Sequence, residues 1–202
     1  MISDNDLNTI KQLQPFYFKN ILPDLVTWQE IEQVVNFRPV VNNKRFHILS
    51  DEDYSWPANG WLTDYNTYPA DIINSEIKKH VCYIQDCSRI NKKINGVCEQ
   101  LENTLNSPAD AHIFFSLKET ENKKGFGRHN DTQHNLIVCV DGSFDMKVYG
   151  DKTIEKTMNN GDAMFIPKEV DHEIIPMSKR LSVSFPMAPH HHFFQTREWV
   201  KL

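Results

Sequence analysis

No apolar run in this 202-residue chain approaches the roughly 18 to 20 residues that a membrane-spanning helix requires. The opening Met1-Ile-Ser-Asp-Asn-Asp6 lacks the basic and apolar regions of a secretory signal. Cysteine is sparse: Cys82, Cys87, Cys98 and Cys139 show neither zinc-site spacing nor the dense framework of a small secreted domain. A basic excess is also missing. With 22 Lys and Arg against 27 Asp and Glu the net charge is −5, so nothing marks a nucleic-acid-binding domain. There is no internal repeat, no low-complexity tract, no phosphate-binding glycine loop and no Ser/His/Asp nucleophile arrangement. A reduced, cytoplasmic, globular protein is the expectation, with no membrane partner and no nucleic acid indicated by charge.

The length suits one domain with a sizeable core. Thr27-Trp-Gln-Glu30 is a capping-box pattern, followed by the apolar stripe Ile31, Val34 and Val35. Residues 38–69 read as irregular, aromatic and Pro-interrupted (Tyr54, Trp56, Trp61, Tyr65, Tyr68), and His80 to Gln85 as a short strand. Ile90, Ile94, Val97, Leu101 and Leu105 recur at helical spacing, predicting an amphipathic helix over 88–105. After Asp110 the period changes. Short strands are predicted over 111–117, 136–140, 143–149, 153–157, 163–166, 172–175 and 181–185, with Asp141-Gly142 read as a two-residue hairpin turn. The expected organisation is a helix-rich support over 1–110, a β core of sandwich or barrel type over 111–189 and a tail over 190–202, packed as one domain.

Within the β region stand Gly125-Phe-Gly-Arg-His129-Asn-Asp131 and Gly161-Asp-Ala-Met-Phe-Ile-Pro-Lys-Glu-Val-Asp-His172. On extended backbone His129 and Asp131 project to the same face, and His172 completes the set across a folded barrel. Two imidazoles and one carboxylate on a common face are the ligand set that holds non-haem Fe(II) and leaves the opposite positions open. His129, Asp131 and His172 are therefore the candidate metal ligands and catalytic residues.

Residues 125–149 and 160–185 resemble the core of the JmjC and cupin-like 2-oxoglutarate oxygenases, which carry G-x-G-x-H-x-D, an apolar strand, a glycine turn, then G-D-x-x-x-x-P-x-x-x-x-H. The resemblance implies a double-stranded β-helix (jelly-roll) fold. It also implies an Fe(II)- and 2-oxoglutarate-dependent dioxygenase that hydroxylates a protein side chain, a tRNA base or a small molecule. Asn135 occupies the place of an Asn that contacts the co-substrate's 1-carboxylate, Ser184 stands where a second Asn is found, and Ser116 lines the co-substrate pocket by analogy. The Lys or Arg that the family places two residues beyond the turn glycine is Phe144 here, and a phenyl ring cannot pair with a carboxylate. Arg180-Leu-Ser182 resembles the Arg-x-Ser of other 2-oxoglutarate oxygenases, so Arg180 and Ser182 are the replacement anchors, with a surface cation as the alternative for Arg180. Lys147 falls on the opposite strand face from Phe144.

The Phe144 departure keeps two other readings open: a metal-binding cupin with 2-oxoglutarate-independent chemistry, and a non-enzymatic binding protein on the same scaffold. His134 is either a neighbour of the ligands or an ordinary core or surface histidine. His190, His191 and His192 read as a solvated tail, Lys118 to Lys124 as a charged loop beside the ligands, and Phe193 to Trp199 offers a candidate homodimer contact.

Overall fold

The computed structural model describes residues 1–36, 45–49, 70–117 and 126–187. Trp56, Trp61, Tyr65, Gly125, the Lys118 to Lys124 loop, the His190 to His192 cluster and the candidate dimer segment Phe193 to Trp199 lie outside them. The elements are α1 (Asp4–Ile10), β1 (Phe16–Phe18), α2 (Trp28–Asn36), β2 (Phe46–Leu49), α3 (Ala70–Glu76), β3 (Val81–Ile84), α4 (Lys92–Leu105), β4 (His112–Ser116), β5 (His134–Tyr149), β6 (Thr153–Met158), β7 (Ala163–Ile166) and β8 (Asp171–Met187). The order across the sheet is β1-β7-β5-β8-β4-β3-β2, with β6 on the other end of β5. Every strand pairing is antiparallel. Among the described helices none is long and apolar enough to cross a membrane.

β5 and β8 each run through two layers. The first part of β5 pairs with β7 and with the end of β8, whereas its last residues pair with β6 and the start of β8. Register shifts fall between Cys139 and Asp141 and between Gly142 and Phe144. The expected hairpin at Asp141-Gly142 is therefore corrected to a bulged bend inside one continuous strand. Gly142 has φ +78°, and a Cβ there would overlap the Lys179 carbonyl, so its conformational freedom serves a close approach of β5 to β8. The two strands expected over 172–175 and 181–185 likewise form one, β8.

Alternation along these strands separates two apolar layers. Leu136, Val138, Leu181, Val183 and Phe185 face a large core with helix residues Ile94, Val97 and Leu101, while Ile137, Cys139, Phe144, Met146, Met158 and Met164 fill the space between the sheets. That arrangement is the double-stranded β-helix. The first half of the chain contributes strands as well as helices: β1, β2 and β3 all extend the sheet.

Local chemistry explains the helix starts. Thr27 and Glu30 form the reciprocal capping box: the Thr27 N–H donates to Glu30 Oε2 at 2.7 Å and the Glu30 N–H to Thr27 Oγ1 at 3.2 Å. α4 starts later than the apolar spacing predicts because Asn91 caps it, accepting from the Ile94 N–H at 2.9 Å.

Candidate metal centre and its cavity

Two backbone segments carry the candidate ligands. Residues 128–131 enter β5, and the turn after β7 leads into β8 at His172. They are joined by a pair of backbone hydrogen bonds, His129 N–H to His172 O at 3.0 Å and His172 N–H to His129 O at 2.7 Å. The Glu169 N–H donates to Asp131 O at 2.7 Å, and the Lys168 N–H donates to His134 Nδ1 at 3.1 Å. His134, stacked on Phe165, thus anchors the turn beside the ligands and does not line their cavity.

This folding brings His129, Asp131 and His172 together, with one donor atom from each lying within 4.8 Å of the others. His129 Nε2 is 4.0 Å from Asp131 Oδ1, and His172 Nε2 is 3.7 Å from Asp131 Oδ2. His129 Nδ1 lies 2.9 Å from Gly127 O and His172 Nδ1 lies 3.1 Å from Val170 O. A carbonyl only accepts, so both Nδ1 atoms carry a proton, and the Nε2 atoms that face Asp131 are the ones left to bind a metal. Burial holds the His172 imidazole below its ordinary value, opposed by the Val170 carbonyl, and favours the neutral, ligating form. The donor set suits a divalent transition metal of the imidazole–carboxylate type.

A cavity of about 210 Å³ opens from these residues toward Arg180, Ser182 and Ser184 on the inner face of β8. Asn135 donates through Nδ2 to Asp131 Oδ2 at 3.2 Å and accepts from Ser184 Oγ at 2.7 Å. Its amide has two N–H donors, so one orients the ligand carboxylate while the other is available to a bound group. Among the described residues Ser182 Oγ reaches only Phe114 O, at 3.5 Å. Ser116 is buried at the register position of Arg180 but is not part of the cavity wall.

Arg180 is the unusual group. Its side chain is buried, its Nε and Nη1 have no hydrogen-bond partner among the described residues, and its guanidinium carbon lies 5.4 Å from the Phe144 ring centroid. Burial pushes its pKa down to about 10, leaving it charged at neutral pH. It is not a surface cation. Lys147 points away, pairing with Glu155 at 3.2 Å.

Several neighbours escape sequence reading. His47, Tyr83 and Phe114 occupy facing positions on β2, β3 and β4 and stack, with ring centroids 4.2 and 5.1 Å apart. Phe126 lies edge-on to Tyr83 and Phe114 and 5.6 Å from the His129 ring. Phe114, Tyr83 and Phe126 line the cavity, together with Gln85 and His112. Period-two alternation on β4 would have placed His112 and Phe114 with Ser116, but β2 was invisible within the irregular stretch. A second group of potential donors, Asp86, Asp110 and His112, is engaged elsewhere: Asp110 accepts from the Ser88 and Ala111 N–H groups, and Asp86 pairs with Arg45.

Fold and site together define a double-stranded β-helix of the cupin class with a candidate metal centre between its sheets. No family model matches the chain, and no curated protein does. Among solved structures, the Escherichia coli ribosomal oxygenase YcfD is similar with TM-score 0.62 at 13% identity, over 95% of this chain and 53% of that one. YcfD in complex with cobalt and 2-oxoglutarate gives TM-score 0.60 at 14% identity, over 89% of this chain and 49% of that one. The chain therefore spans about half the length of the YcfD structures it matches. The likeness shows a shared fold.

Proposed function

We propose that this chain is a non-haem Fe(II)- and 2-oxoglutarate-dependent dioxygenase that acts as a hydroxylase. The observation that carries the reading is Arg180, a buried guanidinium with two unpartnered donor atoms, facing the same cavity as His129, Asp131 and His172. An uncompensated buried cation costs several kcal/mol, and a carboxylate matching its planar fork offsets that cost. Ser184 and Arg180 are four residues apart on one face of β8, roughly 13 Å along the strand. A five-carbon dicarboxylate held by the Arg180 guanidinium would direct its other end toward Asp131, which lines the same cavity. That YcfD has been crystallised with cobalt and 2-oxoglutarate on a similar fold supports the same pairing of metal and co-substrate.

In this reading His129, Asp131 and His172 hold the iron, which when bound supplies open coordination positions and the electrons for O₂ activation. Arg180 binds the 5-carboxylate. Ser182 and Ser184 flank the carbon chain, and the spare Asn135 N–H holds the 1-carboxylate while its partner N–H keeps Asp131 oriented. The inner apolar cluster around Phe144, Met146 and Ile137 excludes water from one side. The prime substrate approaches along the Tyr83, Phe114 and Phe126 wall.

The test is calorimetric titration of N-oxalylglycine, a 2-oxoglutarate mimic, into Co(II)-loaded protein, alongside Fe(II)-dependent conversion of 2-oxoglutarate to succinate. Binding that Arg180→Leu weakens by about tenfold or more is the expected outcome. Metal uptake with no response to either compound would replace this reading with a cupin of co-substrate-independent chemistry. A chain that takes up no metal would point to a binding protein.

A further inference from the structure

The face of the ligand segments turned away from the metal carries a second, linked set of contacts. Arg128 and Asn130 flank His129, and Asp171 precedes His172, so alternation sends all three to the opposite side from the imidazoles. Arg128 Nε and Nη2 both lie 2.9 Å from Asp171 Oδ2, and Asn130 Nδ2 donates to Asp171 Oδ1 at 3.0 Å. Both oxygens of one carboxylate are thus used by the two residues on either side of a ligand. Beneath them, the Arg128 guanidinium sits 4.0 Å from the centroid of Tyr149, the residue opposite Asp171 in the β5–β8 register.

The pair is half-exposed, with Arg128 55% and Asp171 35% accessible. Exposed ion pairs contribute little to overall stability. What this one fixes is relative position, because the other described contacts between residues 128–131 and 171–172 are one isolated backbone bridge and the approach of the candidate ligands themselves, His172 Nε2 to Asp131 Oδ2 at 3.7 Å and the two imidazole centroids at 4.3 Å.

We infer that Asp171, held by Arg128 and Asn130, is a positioning residue that sets the distance and orientation between His129 and His172 and so tunes metal affinity. The inference rests on the metal-binding reading of the three ligands. It differs from simple electrostatics in a way that can be measured. If charge alone mattered, removing the Asp171 carboxylate would weaken cation binding and removing the Arg128 guanidinium would strengthen it. A clamp predicts that both changes weaken it.

The experiment is titration of the apo protein with Co(II), followed by the visible absorption bands of the bound ion, for wild type, Asp171→Asn, Arg128→Gln and the double variant. Each single variant is expected to bind Co(II) about tenfold more weakly, the low end for residues that orient metal ligands. The double variant should be little worse than either alone, since both remove the same contact, and the apo melting temperatures should stay close to that of wild type. Unchanged or tighter Co(II) binding by Arg128→Gln overturns the inference while leaving the metal site intact. A wild type that takes up no Co(II) overturns the metal reading and the clamp with it.

Discussion

Arg180 and Phe144 form one unit: the guanidinium carbon lies 5.4 Å from the phenyl centroid, and the two residues stand on adjacent strands, β8 and β5. Phe144 is fully buried between the sheets, so it provides the wall against which the cation packs. The position that fails as a carboxylate anchor thereby supports the proposed anchor on the neighbouring strand.

That relationship makes the two positions exchangeable in principle. Arg180→Leu should weaken N-oxalylglycine binding by at least about tenfold, since charged hydrogen bonds contribute about 1.5 to 3 kcal/mol. Folding should be retained, because an apolar replacement removes a buried unpaired charge. The double variant Phe144→Lys with Arg180→Leu should recover part of the affinity. Calorimetry on Co(II)-loaded protein checks both, and wild-type affinity in the single variant would exclude Arg180 as the anchor.

Metal removal should lower stability without dismantling the fold, because the ligand segments are joined by their own backbone hydrogen bonds. A ligand present at 100 times its Kd stabilises by about 2.7 kcal/mol, which for a chain of this size is a shift of roughly 5 to 10 °C in Tm. Differential scanning calorimetry with Co(II) and then with a chelator should show that shift, and His129→Ala should abolish it.

The bend in β5 depends on Gly142. Gly142→Ala meets both a left-handed φ and overlap with the Lys179 carbonyl, whereas Gly127→Ala meets strain alone, at φ +68° with nothing within 4 Å. Left-handed backbone costs a non-glycine residue about 1 to 2 kcal/mol. Chemical denaturation should therefore show a loss near that range for Gly127→Ala and a clearly larger one for Gly142→Ala. Equal losses would count against the close approach of β5 and β8.

Asp141 accepts from the Trp28 indole N–H at 2.6 Å and lies 3.4 Å from Lys179 Nζ. The Trp28 hydrogen bond, followed by the Lys179 contacts, holds its carboxyl below the ordinary value of 3.8 despite partial burial. A lowered folded value means that the stabilisation is complete above about 3.8 and fades as pH falls through the folded value. The Tm difference between wild type and Asp141→Asn should accordingly be constant from pH 5 to 7 and shrink below pH 3.8. A difference independent of pH would show that the carboxylate charge plays no part.

All four cysteines are buried. Burial raises the thiol pKa values of Cys82, Cys87 and Cys139, to about 12 for the last two. Because the thiolate is the reactive form, Ellman's reagent should label none of them in the folded protein and all four after denaturation.

Much of this was legible in the chain because it rests on local periodicity. The capping box at Thr27, the apolar stripe of α4 and the short strands β4, β6 and β7 follow from spacing alone. The candidate ligand set was legible because two of its members are two residues apart on extended backbone. What was hidden depends on contacts between distant segments. β1 and β2 are only three and four residues long and become strands through pairing with β7 and β3. Asp141-Gly142 has the chemistry of a tight turn, yet the neighbouring β8 keeps the chain extended through it. The burial of Arg180 and the clamp on Asp171 likewise arise only once β8 lies beside β5.

The passage of β5 and β8 through both layers also governs the order in which the protein can form. β5 can pair early with β6 and β7, which follow it closely, and β2 with β3. β4 and β5, however, share no neighbour among the described strands until β8 arrives between them. β8 is also the strand that carries His172 and Arg180. Candidate metal ligand, guanidinium and the closing of the sheet therefore come into being in one late, non-local step, of the kind that makes folding slow. A nascent chain that ends before residue 171 would expose the Leu136 and Val138 face and the inner cluster together, inviting aggregation. Competence to bind the proposed metal would then coincide with completion of the fold.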